Sequence, residues 1–435
     1  MAIVAIVGFA GCSGSGSSRL GLPPSSSALS GRTALDATAT AADAPSALPG
    51  DAPSALPGDA PSALPGDAPS ALPGDAPSAL PGDAPSALPG TSRNVCAAAA
   101  PGQASCLAIL NLDIAPVANP NANPLTIKGF APKDLLAAYH LPAGGAGRTV
   151  AIVDAYDDPT VEADLAVYRT TFGLTPCTSR NGCFRKVNQA GVAASYPVPD
   201  VNWAKEIALD VDMVSASCPA CNILLVEANS ASIDDLGASV DKAVTLGANT
   251  VSNSYAATEW ADEINEEKHF NHVGIAVTVA SGDSGIGATY PAASRYVTAV
   301  GGTVLTGGKG AYNENSGWKN TGRGCSQFIS KPWWQANFKC SGRAMTDVAA
   351  VADPASGVAA YDSFVPPGQS GGWMVFGGTS VGAPIIASAY ALANDFTGRN
   401  SAARLYSRYK LLHDVPPVGW DYVTGVGSPK GVGAF

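Results

Sequence analysis

The chain has 435 residues, of which 46 % are hydrophobic and only 14 % charged, with a formal charge of −10. That much apolar surface can bury at least one large core. An acidic balance with few Lys and Arg lacks the clustered positive charge that phosphate neutralisation requires, which excludes a nucleic-acid binder. The same balance suits a protein working where carboxylates are partly protonated.

Residues 1–12 form an apolar run that ends at Cys12. The run is too short to span a bilayer. It reads as an export signal closing on small residues, of the type that places a lipid on Cys12, although the basic residues that usually lead such a signal are missing. Export is therefore expected, either as a free secreted protein or with one lipid holding the chain at a membrane surface. A monomer is the expected state.

Residues 13–42 are rich in Ser, Gly, Ala and Thr, and hold too few large apolar side chains to fold alone. The octapeptide Asp-Ala-Pro-Ser-Ala-Leu-Pro-Gly then repeats six times from Asp43 to Gly90. A proline at every fourth position removes backbone donors and forbids regular helix or sheet. Residues 13–90 therefore read as a disordered, polyproline-like spacer, reaching about 150 Å over residues 43–90 if fully extended. Residues 91–124 read as a short Cys-bearing connector, and 125–435 as the folded domain.

Within that domain, short β-branched runs start at Thr149, Asn222, Thr250, Ile275 and Tyr296. Between them lie the helical patterns Pro159–Phe172, Trp203–Ala216, Ile233–Leu246 and Glu259–Asn271. This alternation predicts an α/β domain with a parallel sheet covered by helices on both faces. Active sites of such sheets gather at the carboxyl ends of the strands. Eight of the nine cysteines fall into close pairs, Cys96/Cys106, Cys177/Cys183, Cys218/Cys221 and Cys325/Cys340. Disulfides in an exported protein are expected, with zinc on the C-x-x-C pair Cys218/Cys221 as the competing reading.

Ser380 stands in Phe376-Gly-Gly-Thr-Ser-Val-Gly-Ala-Pro384, between a Gly-rich turn and an apolar helical run. A serine there is a candidate nucleophile at the positive end of a helix, or simply its N-cap. The usual base would be a histidine. Of the four, His269 and His272 lie in a charged stretch that reads as a solvated face, and none stands in a setting typical of a serine-peptidase histidine. Glu206 and Asp210 are the alternative. Their spacing puts both on one helix face, where like charges and partial burial raise at least one pKa and let the pair share a proton. The competing reading is a solvent-facing acidic helix. Asp283, in Ala-Ser-Gly-Asp-Ser-Gly at a strand end, would donate a hydrogen bond to an oxyanion if protonated, or else serves as a turn residue.

Taken together, Gly-Gly-Thr-Ser380, the Glu206/Asp210 pair, Ala-Ser-Gly-Asp283, Tyr290-Pro-Ala-Ala and Val300-Gly-Gly-Thr303 resemble the sedolisin family of serine-carboxyl peptidases, as do Thr346–Pro354 and Gly419–Gly425. The resemblance covers about 125–435 and implies a subtilisin-like fold. It implies Ser380 as nucleophile, Glu206 as general base, Asp210 as its support and Asp283 in the oxyanion hole, with Ser252–Tyr255 binding substrate. It also implies one calcium ion, held by Asp414 and Asp421 and by carbonyls at Val415, Pro417 and Gly419. The loop between Val415 and Gly419 is shorter than the family's, and the folded pro-domain usual there is replaced by the spacer and connector. The expected activity is a secreted acid endopeptidase acting on proteins or peptides. A catalytically silent, surface-anchored binding protein is the alternative. An esterase is disfavoured because Gly378-Thr-Ser380-Val-Gly382 lies in a Gly-Thr-Ser-x-x-x-Pro context resembling subtilisin-like peptidases rather than in the nucleophile elbow of acyl hydrolases.

Overall fold

Short β-branched runs become strands because branched side chains pack well on a pleated surface buried on both sides. In the computed structural model, which describes residues 91–100, 102–308 and 311–435, they form the middle of an 8-stranded sheet. Across that sheet the strands run in the order Ala311–Gly317, Thr298–Gly308, Ala276–Ala280, Thr250–Asn253, Thr149–Ala155, Asn222–Ala228 and Phe184–Asn188, with Val348–Val351 also paired to Thr298–Gly308. Every pairing is parallel except that of Ala311–Gly317, an antiparallel edge strand, so the sheet is mixed rather than purely parallel.

Alternation along the central strands assigns the two faces. Val150, Ile152, Ile223 and Leu225 cluster with Ile207, Val211 and Ala387 from the helices Val201–Ser217 and Thr379–Ala393. The intervening Ala151, Val153, Leu224 and Val226 belong to the core that Leu236 and Val240 of the helix Ile233–Thr245 enter. A helix-covered parallel sheet in a subtilisin-like fold is thus present as the sequence predicts.

The Val201–Ser217 helix starts where the Asp200 carboxylate accepts hydrogen bonds from Asn202 and Trp203 N–H. From Trp203 to Ser217 every residue is buried. The reading of a solvent-facing acidic helix is excluded. Glu259–Asn271 departs from prediction, being a 3₁₀ helix over Ala261–His269. Its acidic face is not solvated either. Glu263 accepts the Trp260 N–H at 3.0 Å, and Glu267 pairs with Arg295 at 3.3 Å.

Residues 91–111 are woven into the domain rather than leading up to it. Ser92–Asn94 pairs antiparallel with Ile109–Asn111, which pairs antiparallel with Gly372–Gly377, the strand that precedes Ser380. Ser105–Cys106 pairs antiparallel with Tyr255–Ala256. All four expected disulfides are present. The bond between Cys218 and Cys221 excludes zinc there. Cys12, the export signal and the octapeptide repeats lie outside the described residues.

Candidate active site

The site assembles at the carboxyl ends of the parallel strands. Asp154 is near the end of Thr149–Ala155, Ser254 follows Thr250–Asn253, and Asp283 follows Ala276–Ala280. Opposite them, Gly377 and Gly378 turn the chain from a strand into the buried helix Thr379–Ala393, whose second residue is Ser380. Gly378 has φ +94, and a Cβ there would stand less than 3.0 Å from both Leu107 O and Asp283 Oδ2. Glycine is therefore required for the turn and for what approaches it.

Ser380 is fully buried, and its hydroxyl is 3.5 Å from the Ser254 carbonyl. None of the four histidines is among its hydrogen-bond partners. His269 and His272 instead meet Asp241 at 2.6 and 3.1 Å, and His140 lies tilted against His413, ring centres 5.6 Å apart. The groups gathered around Ser380 are carboxyls.

Glu206 is completely buried. Its Oε2 accepts two backbone N–H bonds of 2.7 Å, from Leu107 and Ala108, while Oε1 has no hydrogen-bond partner. Burial pushes its pKa up to about 8, against the pull of the nearby Ser380 hydroxyl and the two N–H donors. Asp210, one helical turn on, accepts the Ser254 hydroxyl at 2.9 Å. Burial, then the charges of Asp154 and Glu206, hold Asp210 well above the usual carboxylate range. The Glu206/Asp210 spacing therefore does what the sequence predicts, placing two interacting acids beside one serine.

Asp283 caps the Ser380 helix. Its Oδ1 accepts the Thr379 N–H at 2.9 Å and the Thr379 hydroxyl at 2.8 Å. Its Oδ2 is buried without a partner. Burial raises its pKa to about 7 despite those two donors. The carboxyl thus combines the turn-and-cap role with an oxygen free to carry a proton towards Gly378.

Two participants escaped the sequence reading. Asp154 is completely buried with neither carboxyl oxygen bonded, and burial, Glu206 and Glu227 drive its pKa well up. An acid at the end of a β-branched run is the signal that could have found it. The Leu107 and Ala108 N–H groups carry no sequence signal, since any residue but proline has one.

The calcium ligands expected from the resemblance do not form a cradle as they stand. Both Asp414 oxygens share the single Gly419 N–H, at 3.1 and 3.2 Å. Asp421 Oδ1 accepts Val423 and Thr424 N–H at 2.7 and 3.0 Å, and Oδ2 accepts the Thr424 hydroxyl. Val415, Pro417 and Gly419 lie in the same loop. Among the described residues, three acids whose oxygens all lie within 4.8 Å of one another occur elsewhere, at Asp158, Asp164 and Asp362.

No protein-family model matches the chain. Kumamolisin from Bacillus sp. is 28 % identical over 400 residues, covering 75 % of this chain and 69 % of that protein. Tripeptidyl-peptidase 1 of Dictyostelium discoideum is 25 % identical over 348 residues, and tripeptidyl-peptidase sed4 of Aspergillus fumigatus 25 % over 371. The chain spans little more than half of these two, 53 % and 58 %. The structure of Pseudomonas sedolisin complexed with pseudo-iodotyrostatin superposes with a TM-score of 0.60 at 24 % identity, over 70 % of this chain and 96 % of that one, and shares the fold.

A subtilisin-like fold with these relatives defines a serine-carboxyl peptidase. These relatives support the sedolisin family as the group the chain is similar to.

Proposed function

We propose that this protein is an exported, acid-acting endopeptidase that cleaves protein or peptide chains through an acyl-enzyme on Ser380. The observation that supports it is the company Ser380 keeps: buried Glu206, Asp210 and Asp283, with no histidine. In this reading the Glu206/Asp210 pair holds one proton, carried by Asp210, so that ionised Glu206 accepts the Ser380 proton as the hydroxyl attacks the scissile carbonyl and passes it to the leaving amine. Asp210, held by Ser254, tunes and orients Glu206. Protonated Asp283 donates from Oδ2 to the developing oxyanion, a task a carboxyl performs only in its neutral form. Calcium enters no step.

Endopeptidase rather than tripeptidyl activity is supported by the shape of the groove. The segment along the cleft pairs through Ser105 and Cys106 with the strand after Ser254 and continues to Ala104, whose N–H bonds the Ala231 carbonyl at 2.7 Å, so a fourth residue on the amino side of the crossing is accommodated. Four disulfides suit an oxidising, extracytoplasmic compartment. Secretion with or without a lipid on Cys12 belongs to the same proposal.

Cleavage of a mixed peptide library from acidic to neutral pH, with Ser380→Ala alongside, is the test. Activity confined to acid, lost in the variant and spread over internal bonds supports the reading. Removal of tripeptides alone would favour the exopeptidase activity that the names of two relatives print. Unchanged cleavage by Ser380→Ala would sink the serine assignment.

A further inference from the structure

We propose that Asp158, Asp164 and Asp362 form a calcium site, separate from the Asp414–Asp421 loop and from the acids around Ser380. The proposal does not depend on the peptidase reading.

Three elements far apart in sequence bring these carboxyls together. Asp158 stands in the loop that leaves the strand Thr149–Ala155, shortly after Asp154. Asp164 lies in the first turn of the helix Val161–Thr171. Asp362 ends the strand Val358–Asp362, which pairs antiparallel with Gly372–Gly377, the strand that leads into Ser380. One oxygen from each acid lies within 4.8 Å of the others. Oxygens held by one Ca²⁺ at about 2.3–2.6 Å stand up to about 5 Å apart, so a single ion reaches all three.

The pocket is short of positive charge. Asp158 and Asp362 are fully buried, and Asp164 is only 3 % exposed. Lys186 meets the Asp158 carbonyl, but its charge is shared by Asp157 and Glu227. Lys205 donates to the Val201 carbonyl at 2.7 Å and stays 3.9 Å from Asp362 Oδ2, beyond hydrogen-bond reach. Three carboxyls therefore face one ammonium. Buried charges are paired or coordinate metals, and a divalent cation supplies the two charges that are missing.

The hydrogen bonds point the same way. Asp158 Oδ1 accepts the Thr160 N–H at 2.8 Å, and Asp362 Oδ1 the Phe364 N–H at 2.9 Å. The second oxygen of each, Oδ2, is buried without a partner. Asp164 is oriented by the Ser363 N–H and hydroxyl, at 2.8 and 2.7 Å, and by the Thr160 hydroxyl at 2.7 Å. Such donors fix ligating carboxylates from the outer shell. Oxygen donors with no nitrogen or sulfur suit Ca²⁺ or Mg²⁺, and three carboxylates offer six oxygens, the lower bound of calcium's usual range. Mg²⁺ sheds water reluctantly, so a site this buried favours Ca²⁺. Two protons on the carboxyls are the competing way to neutralise the pocket. They balance the charge but leave Asp158 Oδ2 and Asp362 Oδ2 unbonded, whereas a cation uses both. Bound there, the ion ties the loop after Asp154 to the strand pair that delivers Ser380.

The test uses the full chain, stripped with a chelator and dialysed into chelator-free buffer at neutral pH, with Ca²⁺ as the only ion added. Calorimetric titration to about 10 mM covers the roughly 10⁻⁴–10⁻³ M dissociation constants of extracellular modules. One ion per chain is expected, with a Tm that climbs as Ca²⁺ is raised. Asp158→Asn and Asp362→Asn keep the side-chain shape and remove a charge, and each should weaken binding by about 100-fold or more. Asp414→Asn should bind as the native chain does. Near-ultraviolet circular dichroism checks that each variant is folded. Binding that survives in folded Asp362→Asn, or that disappears in Asp414→Asn, overturns the site. A native chain with neither heat nor a Tm shift on Ca²⁺ addition overturns it whatever the variants do. None of these readouts uses peptide cleavage, so the peptidase reading stands or falls separately.

Discussion

Glu206 is a carboxyl under opposed demands, because burial resists its ionisation while a hydroxyl and two N–H groups favour it, and burial wins. Its proton cannot be considered apart from its neighbours, since Asp154 and Asp210 are buried beside it and repel. Asp154→Asn removes one of those repulsions, so the remaining pair should titrate lower. The acidic limb of the kcat–pH profile is expected to move to lower pH, which a purely structural Asp154 would not cause. Asp283→Ala should cost roughly 10²–10³ in kcat, the usual loss for one oxyanion donor. In the native enzyme the activity assigned to Asp283 is present below its raised pKa of about 7 and lost as pH climbs through it.

At the scale of elements, the strand-to-helix turn at Gly377–Gly378 decides whether the serine is presented at all. Gly378→Ala forces a Cβ into a left-handed backbone position and into the Leu107 carbonyl. It should cost about 1–3 kcal/mol of strain, read by denaturant unfolding, and should also dislodge the segment that carries Leu107. Beneath the turn, the helix is set by packing. Ile385 is fully buried in the core, and Ile385→Ala is expected to lose about 2–5 kcal/mol. A loss below about 1 kcal/mol would mean the cavity collapses freely.

Across the whole molecule, buried acids set the response to pH. Asp158, Asp283 and Asp362 are raised to about 7, Glu206 to about 8, and Glu227 and Glu263 to about 9, in every case chiefly by burial. Their ordinary values are 3.8 for Asp and 4.5 for Glu. Between those values and the raised ones, the folded chain binds more protons than the unfolded chain. Stability from these groups is complete at or below the ordinary values and is lost as pH rises through the raised ones. Asp241 runs the other way. Burial raises it, but His269 and His272 prevail and hold it at about 2. The raised groups outweigh the lowered ones and predict a Tm higher near the ordinary carboxylate range than at neutral pH, measured by calorimetry in calcium-free buffer across that interval. In Asp362→Asn, a chelator should leave Tm unchanged, because the Asp414–Asp421 loop is closed by its own hydrogen bonds. A clear fall would reinstate the calcium ion that the sequence led us to expect.

Local chemistry and spacing made much of this legible without coordinates. β-branched runs alternating with helical periods specify a helix-covered sheet, because each pattern buries its apolar face in one way only. Glu206 and Asp210, four apart, share a helix face by helical geometry, and Ser380 follows glycines that alone permit its turn. Close cysteine pairs met because a short loop leaves them little choice. Long-range proximity could not be read in the same way. Asp154 joins the acids only because parallel pairing brings its strand end beside theirs. The Asp414 and Asp421 carboxylates turn onto N–H groups that only the folded loop presents. The segment 91–111, a connector by composition, lies in the groove because unpaired strand edges on both sides of Ser380 were there to receive it, and an edge exists only once the sheet has formed.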